Sequence, residues 1–254
     1  MRCFSLLLGL LPLMSLATEC RVTSGPQTVA LVELYTSEGC SSCPPADRWL
    51  STFAQRPGTQ GVVPIAFHVS YWDYIGWKDV FADERYTERQ RALAKATGAR
   101  MVYTPQVMVG GRDFRAWGDA RAVEQAIAAA NRMPARAQIE IASRSPSEGT
   151  ASVTLRPGVK ADDLALFVAV TQSGLSSRVT AGENRGEKLA HSFAARELAV
   201  IRSTGTQAAP SLRGTFAFKP RNDWNLEHMT LVAFVQNLKT GEVLQAVSAP
   251  ICRG

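Results

Sequence analysis

Two cysteines three positions apart are the part of this sequence whose chemistry is easiest to define. Cys40 and Cys43 form the motif Cys-Ser-Ser-Cys, which follows a mostly apolar run at 29–35 and turn-forming residues at 36–39. Two prolines come next, and proline suits the first turn of a helix because its φ is already helical and its missing N–H is not needed there. The sequence therefore predicts a strand, a tight turn, two cysteines and a helix.

A thiol at a helix N-terminus loses its proton more readily, because the helix dipole and free N–H groups stabilise the thiolate. We expect Cys40 to be the attacking sulfur and Cys43 the resolving one, so that the pair alternates between disulfide and dithiol. A C-x-x-C pair can also be half of a zinc site. The chain has no second C-x-x-C, however, and only three histidines, His68, His191 and His228.

One of these histidines keeps a metal site open as an alternative. His68 ends the strand predicted beside the cysteine corner, where Cys40, Cys43 and His68 together could hold copper or zinc, since soft thiolates favour these metals. His191 has no companion at ligand spacing in its own segment. We expect His191 to be a structural histidine bonded to a backbone group, with a role in partner recognition as the alternative.

The first seventeen residues have the pattern of a secretory signal peptide. Arg2 gives a positive start, an apolar stretch runs from Cys3 to Leu16, and residues 15–17 are a small-x-small cleavage site. The stretch is shorter than the roughly 20 residues that a membrane span needs. We predict cleavage after Ala17, a periplasmic or secreted mature protein and no membrane span. Acylation of Cys20, as in a lipoprotein, is the alternative.

Signal removal leaves four cysteines, an even number in an oxidising compartment. If Cys40 pairs with Cys43, then Cys20 is left to form a structural disulfide with Cys252, because the termini of a domain often lie close together. A bridge closing so long a loop would stabilise the fold by up to about 4–5 kcal/mol on the chain-entropy model. The alternative is that Cys20 and Cys252 are unpaired thiols.

The composition is that of an ordinary globular protein. The 254 residues are 46% hydrophobic and 20% charged, with a formal net charge of +6. Lysine and arginine are scattered and form no basic run, so we predict no binding to nucleic acid.

The segments after the cysteines predict a β-α-β unit. Residues 45–53 have a helical apolar pattern with Asp47 facing outward, and residues 62–69 are a nearly continuous apolar run, as expected of a strand covered on both faces. The two strands should be parallel neighbours, because such crossovers are right-handed almost without exception. Residues 81–97 predict an inserted helix, and Asp119 begins a last one.

The segment 70–79 is dense in aromatic residues. We expect a surface loop whose rings pack back into the core. Alternatively, Trp72, Tyr74 and Trp77 form a substrate-binding wall beside the cysteines, since aromatic rings bury a large area and keep a polar group.

The pattern changes near residue 134. Short segments with alternating apolar residues follow, among them 164–170, 229–235 and 243–249, and they predict an antiparallel β-sandwich. We therefore divide the chain into a signal peptide at 1–17, an α/β domain with a helical insertion at 18–133 and an all-β domain at 134–254. The second domain either packs on the first or extends its sheet.

A second motif makes the α/β domain resemble the thioredoxin superfamily. Thr104-Pro105 opens a short hydrophobic strand that ends in Gly110-Gly111, downstream of the C-x-x-C corner. The resemblance implies a thioredoxin-like domain, a cis Pro105 facing the redox pair and backbone hydrogen bonds from Thr104 to a bound peptide. It also implies that Glu33 takes or relays the proton of the resolving cysteine, because burial would raise its pKa. The alternatives are a trans proline opening an edge strand and a Glu33 exposed on an alternating strand.

Three longer blocks resemble a more specific family. Thioredoxins carry Trp where this chain has Gly39, and Gly-Pro where it has Ser41-Ser42. The blocks TSEGCSSCPPAD at 36–47, YWDYIGWKD at 71–79 and GENRGEKLAHSFAARELAVI at 182–201 are similar to a bacterial family of secreted proteins called domain of unknown function twelve-twenty-three. That resemblance implies a thioredoxin-like fold and an exported location, and it supplies no reaction.

Two functions follow. The first is an exported thiol–disulfide oxidoreductase that acts on protein thiols or disulfides, or on small thiols, is recycled by an unidentified electron-transfer partner and needs no diffusible cofactor. The second is an exported binding protein, in which the cysteine pair is a copper or zinc ligand or a static disulfide and the β domain recognises a partner.

Overall fold

The computed structural model describes residues 19–55, 61–202 and 211–252, and it shows a mixed α/β fold that is mostly β. Three α-helices occur in these ranges: α1 (Pro44–Ser51), α2 (Glu84–Ala96) and α3 (Ala120–Asn131). The strands are β1 (Cys20–Thr23), β2 (Ala30–Thr36), β3 (Val62–His68), β4 (Gln106–Val109), β5 (Arg112–Asp113), β6 (Ala137–Ser143), β7 (Glu148–Leu155), β8 (Leu164–Gln172), β9 (Leu175–Arg178), β10 (Lys188–His191), β11 (Ala194–Arg202), β12 (Ser211–Ala217), β13 (Met229–Asn237) and β14 (Val243–Pro250).

An eight-stranded sheet forms the centre of the molecule, in the order β14-β13-β8-β11-β3-β2-β4-β5. Strands β2 and β3 are parallel neighbours joined through α1, as the apolar runs predicted. The other long pairings are antiparallel. Because every residue of β2 and β3 is buried, both strands are covered on both faces.

The two faces of this sheet are covered differently. Alternation sends Leu164, Leu166, Val168 and Val170 of β8 toward a second sheet, of order β1-β6-β7-β12, and these two layers enclose one apolar core. Helices α1 and α3 pack beside that second sheet, on the β2 and β3 end of the same face. Helix α2 packs on the opposite face, against residues that include Phe167.

The predicted helix boundaries were nearly right. The first helix is Pro44–Ser51, followed by a 3-10 turn over Thr52–Gln55. The inserted helix is Glu84–Ala96, shorter than 81–97 because the Asp83 side chain accepts a hydrogen bond from the Arg85 N–H and caps it. The aromatic segment contains a 3-10 helix, Ser70–Ile75, where a loop was expected.

The predicted division at 133/134 falls between α3 and β6, and the central sheet draws strands from both sides of it. The β-rich half therefore extends the sheet of the first half; its strands β6, β7 and β12 join β1 in the layer packed on that sheet, and β9 and β10 form a separate two-stranded sheet. The predicted signal peptide lies outside the described residues. No helix in the described part of the chain is both long enough and apolar enough to cross a membrane.

Candidate functional site

The structure joins Cys40 to Cys43 in a disulfide at the corner between β2 and α1. The two Cα atoms are 5.4 Å apart, and Cys43 is the N-cap residue of the helix. A second disulfide joins Cys20 to Cys252, across a sequence separation of 232. Within the described residues the four cysteines of the predicted mature chain thus form two bridges.

The Cys40–Cys43 pair is buried, which differs from the exposed attacking thiol expected of an oxidoreductase. Cys40 is 1% exposed and Cys43 is fully buried, while Ser41 and Ser42 between them face solvent. The loop between β9 and β10, residues 179–187, lies over this corner, and we call it the cover loop. The Asn184 side chain donates to the carbonyl oxygens of Glu38 and Cys40, at 2.8 and 3.0 Å.

A carboxylate of the cover loop accepts a hydrogen bond from the backbone N–H next to Cys40. The Ser41 N–H and hydroxyl both donate to Glu183 Oε2, at 3.0 and 2.7 Å, and the bond from the Ser41 N–H lowers the pKa of Glu183. The two prolines at the start of α1 have no N–H to offer. The corner therefore provides fewer free N–H groups for a thiolate than a helix N-terminus was expected to.

The aromatic segment approaches Gly39 closely. A Cβ atom at this position would lie 3.0 Å from Trp72 Cβ and 3.3 Å from a methyl carbon of Ile75. A larger side chain at position 39 would therefore have to displace Trp72 or Ile75.

Trp72 also connects the corner to the proline motif. Its indole N–H donates to Thr104 Oγ1 at 2.7 Å, and the Thr104–Pro105 peptide bond is cis. Because Tyr35 of β2 pairs with Gln106 of β4, Pro105 lies at the same end of the sheet as the cysteines. Thr104 meets Trp72 through its side chain; a hydrogen bond from its backbone to a peptide stays a prediction.

The three aromatic residues proposed as a wall have different positions. Trp77 donates its indole N–H to Glu38 Oε2 at 2.8 Å and so contacts the residue two positions before Cys40. Tyr74 is 83% exposed. Trp72 and Trp77 therefore build the corner, and Tyr74 lies on the surface outside it.

Glu33 lies away from the cysteines. It points, like Leu31 and Tyr35, to the α2 face of the sheet, whereas α1 packs on the other face. Its carboxylate is buried, 2.5 Å from Arg89 Nη2, and it accepts a hydrogen bond from the Tyr35 hydroxyl at 3.2 Å. The Arg89 ion pair accounts for its burial, so a role for Glu33 in relaying a proton to Cys43 has no geometric support.

The acidic residue of α1 points inward, contrary to the prediction that Asp47 faces solvent. One potential ligand atom each from Asp47, His68 and His191 lie within 4.8 Å of one another, and all three residues are buried. Asp47 also accepts a hydrogen bond from Thr36 Oγ1 at 3.1 Å. His191 is thus not a lone structural histidine bonded to backbone; its ring centroid is 4.8 Å from that of His68.

Each histidine of this group also lies within hydrogen-bond distance of a further carboxylate. His68 Nδ1 lies 2.7 Å from Asp79 Oδ2, and His191 Nε2 lies 3.0 Å from Glu38 Oε1. We call these five residues the histidine cluster: Asp47, His68 and His191, together with Glu38 and Asp79, which contact the two rings. Because Cys40 and Cys43 are joined in a disulfide, neither offers a thiolate that could bind a metal ion together with His68.

Burial opposes charge on all of these groups, and their contacts decide the outcome. Burial raises the pKa of Asp47, and His68 and His191 only partly offset it. Burial would lower the pKa of His68 and raise that of Asp79, but their mutual attraction and hydrogen bond reverse both effects. The pKa of His68 is therefore raised and that of Asp79 lowered, as in an ion pair.

The residues of this site to which sequence reasoning gave no role, or a different one, all lie in the three blocks quoted above. Glu38 and Asp47 come from the first block, Asp79 from the second, and Asn184 and His191 from the third. The signal available in the sequence was the presence of these polar residues within otherwise recognisable blocks. Their meeting could not be derived, because up to 153 positions separate the partners.

Comparison with solved structures gives the fold. Protein AGR_C_4864 from Agrobacterium tumefaciens is 22% identical, with a TM-score of 0.64 over 91% of this chain and 97% of that one. HBP35 of Porphyromonas gingivalis is 13% identical, with a TM-score of 0.63 over 89% of this chain and 76% of that one. At these identities the likeness concerns the fold alone. No curated protein matches the chain significantly.

The family model "Protein of unknown function (DUF1223)" matches residues 31–236, which contain the Cys40–Cys43 corner, the cover loop and the whole histidine cluster. The chain belongs to the DUF1223 family.

Proposed function

We propose that this protein is an exported thiol–disulfide oxidoreductase whose redox pair is Cys40 and Cys43. The observation that carries the proposal is a disulfide between cysteines three positions apart at a strand-to-helix corner, on which three separate sequence blocks converge. No diffusible cofactor is required.

The reaction is a two-electron exchange. In the reduced protein, the Cys40 thiolate attacks one sulfur of a substrate disulfide; a Cys40–substrate bond forms and the other substrate sulfur leaves as a thiolate. The Cys43 thiolate then attacks Cys40, and the second substrate sulfur leaves. The substrate disulfide has been reduced and the pair oxidised, and a dithiol partner returns the two electrons by the reverse steps.

The buried pair makes access part of this proposal. A substrate sulfur reaches Cys40 only when the cover loop moves, which breaks the bonds of Asn184 to the Glu38 and Cys40 carbonyl oxygens and releases Glu183 from Ser41. Release of Glu183 removes a negative charge from beside Cys40 and frees the Ser41 N–H, and both changes favour the thiolate. Substrate binding and activation of the thiol would then be one event.

Two further parts of the proposal have support, one from the sequence and one from the arrangement of the strands. The pattern of residues 1–17 supports export to the periplasm or beyond, where two disulfides persist. The β2-α1-β3 unit with the cysteines at its first corner, followed by β4 after Pro105, supports a thioredoxin-like arrangement for the N-terminal half.

The test is to trap the mixed disulfide. Cys43→Ala removes the resolving sulfur, so a bond between Cys40 and its substrate should persist and be visible as a high-mass adduct on non-reducing gels of periplasmic extract. Cys40→Ala is the matched control, because it leaves a single cysteine at the same corner. Adducts with Cys43→Ala alone support the proposal; equal adducts with both variants, or none, contradict it.

The burial of the pair favours one competing function, a static disulfide in a partner-binding protein. In that case both variants should lack covalent adducts, and the wild-type bond should resist reduction as strongly as Cys20–Cys252 does. The trapping experiment therefore separates the two functions.

A further inference from the structure

The histidine cluster holds two ring nitrogens that have nothing to bond to. His68 Nε2 and His191 Nδ1 are fully buried and have no hydrogen-bond partner among the described residues. Buried polar atoms almost always have a partner, so two in adjacent rings require an explanation. Their residues are 1% and 3% exposed, which leaves no solvent contact to supply one.

The opposite nitrogen of each ring is held by a carboxylate. Asp79 bonds His68 Nδ1 and Glu38 bonds His191 Nε2. An imidazole fixed by a carboxylate on one nitrogen and free on the other is how proteins present a histidine to a metal ion. The two carboxylates are themselves held, Glu38 by the Trp77 indole and Asp79 by the Phe81 N–H. Both rings are therefore oriented in advance.

The charge around the cluster also favours a cation. Three buried carboxylates, those of Glu38, Asp47 and Asp79, surround two imidazoles. In the described part of the chain, Asp79 pairs with His68 and Glu38 pairs with His191, and none of the three carboxylates pairs with a lysine or arginine. A divalent ion would offset this buried negative charge, and it would give Asp47 a partner besides Thr36.

We propose that Asp47, His68 and His191 form a binding site for a divalent first-row transition metal ion beside the Cys40–Cys43 corner. Two imidazoles and one carboxylate suit Zn²⁺, and three protein ligands leave a further coordination position for water or a ligand. The site differs from a Cys40, Cys43 and His68 site, because it needs no thiolate and uses His191. It goes beyond the proposed redox function and does not rest on it.

The cluster and the cysteine corner share supporting residues. Asp47 lies on α1, four residues after Cys43, and His191 ends β10, the strand that follows the cover loop. Movement of the cover loop would therefore open a path to the cluster as well as to Cys40. A metal ion that holds α1 and β10 together would make this movement less frequent.

The test is a Zn²⁺ titration of chelator-treated full-length protein by isothermal calorimetry, with both disulfides verified as intact by mass spectrometry. We expect one Zn²⁺ per chain. Asp47→Asn, which keeps the side-chain shape and an acceptor for Thr36, and His191→Ala should each weaken binding at least tenfold. His228→Ala is the matched control, because His228 is exposed and lies outside the cluster; it should bind like wild type.

Since His191→Ala leaves Glu38 buried without its histidine, Glu38→Gln is a second variant, with circular dichroism as the check on folding. Loss of a carboxylate that orients a metal-bound histidine should weaken affinity by roughly tenfold to a hundredfold. A Cys40→Ser/Cys43→Ser variant should bind Zn²⁺ like wild type. The proposal is overturned if the folded, oxidised protein binds no stoichiometric Zn²⁺, if binding needs reduced cysteines, or if His228→Ala weakens it as much as His191→Ala.

Discussion

The two disulfides of this protein lie in contrasting surroundings. Cys20–Cys252 joins the first described strand to a residue that follows the last one, and Cys20 is exposed. Cys40–Cys43 closes a four-residue corner and is buried under the cover loop, and the residues that flank it in the chain, Glu38 and Asp47, belong to the histidine cluster. The first has the position of a staple between chain ends. The second has the surroundings of a site, because two buried ring nitrogens of the histidine cluster have no hydrogen-bond partner among the described residues.

The largest expected difference between the two bonds is in their reduction potentials. In a glutathione redox titration followed by alkylation and peptide mass spectrometry, Cys40–Cys43 should titrate between about −270 and −120 mV, the range of redox-active pairs. Cys20–Cys252 should stay oxidised below about −300 mV, as structural disulfides do. Equal potentials would remove the distinction.

The second expected difference is in stability. Replacing Cys20 and Cys252 by alanine should lower the free energy of unfolding by about 4–5 kcal/mol on the chain-entropy model, because the bond restricts a very long loop in the unfolded chain. Replacing Cys40 and Cys43 should lower it by only about 2 kcal/mol on the same model, since the loop is so short. Urea denaturation of both double variants measures the contrast, and a larger loss at the Cys40–Cys43 corner would reverse it.

The third prediction concerns the cover loop. Asn184→Ala removes the donor of two hydrogen bonds and leaves the carbonyl oxygen of Glu38 unpaired, at a cost of about 1–3 kcal/mol, while the Cys40 carbonyl oxygen keeps its bond from the Cys43 N–H. Reduction of Cys40–Cys43 by dithiothreitol should become faster while Cys20–Cys252 is unaffected. Arg185→Ala, an exposed neighbour in the same loop, is the control. Equal rates in the two variants would show that the loop does not limit access.

The smallest expected effect is electrostatic. Glu183→Gln removes a negative charge from the Ser41 amide, so the pKa of the Cys40 thiol in the reduced protein should fall. The pH dependence of Cys40 alkylation in a Cys43→Ala background measures this change. Glu187→Gln, at the end of the same loop and exposed, is the matched control. An unchanged or higher pKa would show that Glu183 does not influence the thiol.

Sequence reasoning succeeded where neighbours along the chain decide the structure. The apolar runs at 29–35 and 62–69 became the parallel strands β2 and β3, and Asp119 is the N-cap of α3. The predicted alternation of side-chain direction along β8 is confirmed, with Leu166 on one face of the sheet and Phe167 on the other. Local periodicity carries this information because side-chain direction repeats with the backbone geometry.

The same reasoning failed where a side chain has two possible surroundings. Asp47 was assigned to solvent from the helical pattern of residues 45–53, yet two histidines from distant strands make its burial possible. Glu33 was correctly considered as a buried acid, but its partner is Arg89 on the other face of the sheet. A charged residue is buried only when a partner is present, and the partner is invisible in local sequence.

By itself the sequence determined several of the longer strands, the three α-helices, the cysteine corner and the three blocks that mark the family, because these depend on periodicity, on proline and glycine, and on residue spacing. Only the tertiary structure decided that the second half completes the central sheet, that the cover loop encloses Cys40, and that His68 meets His191. Those arrangements depend on which surfaces pack together across more than a hundred residues, and packing is a property of the whole chain.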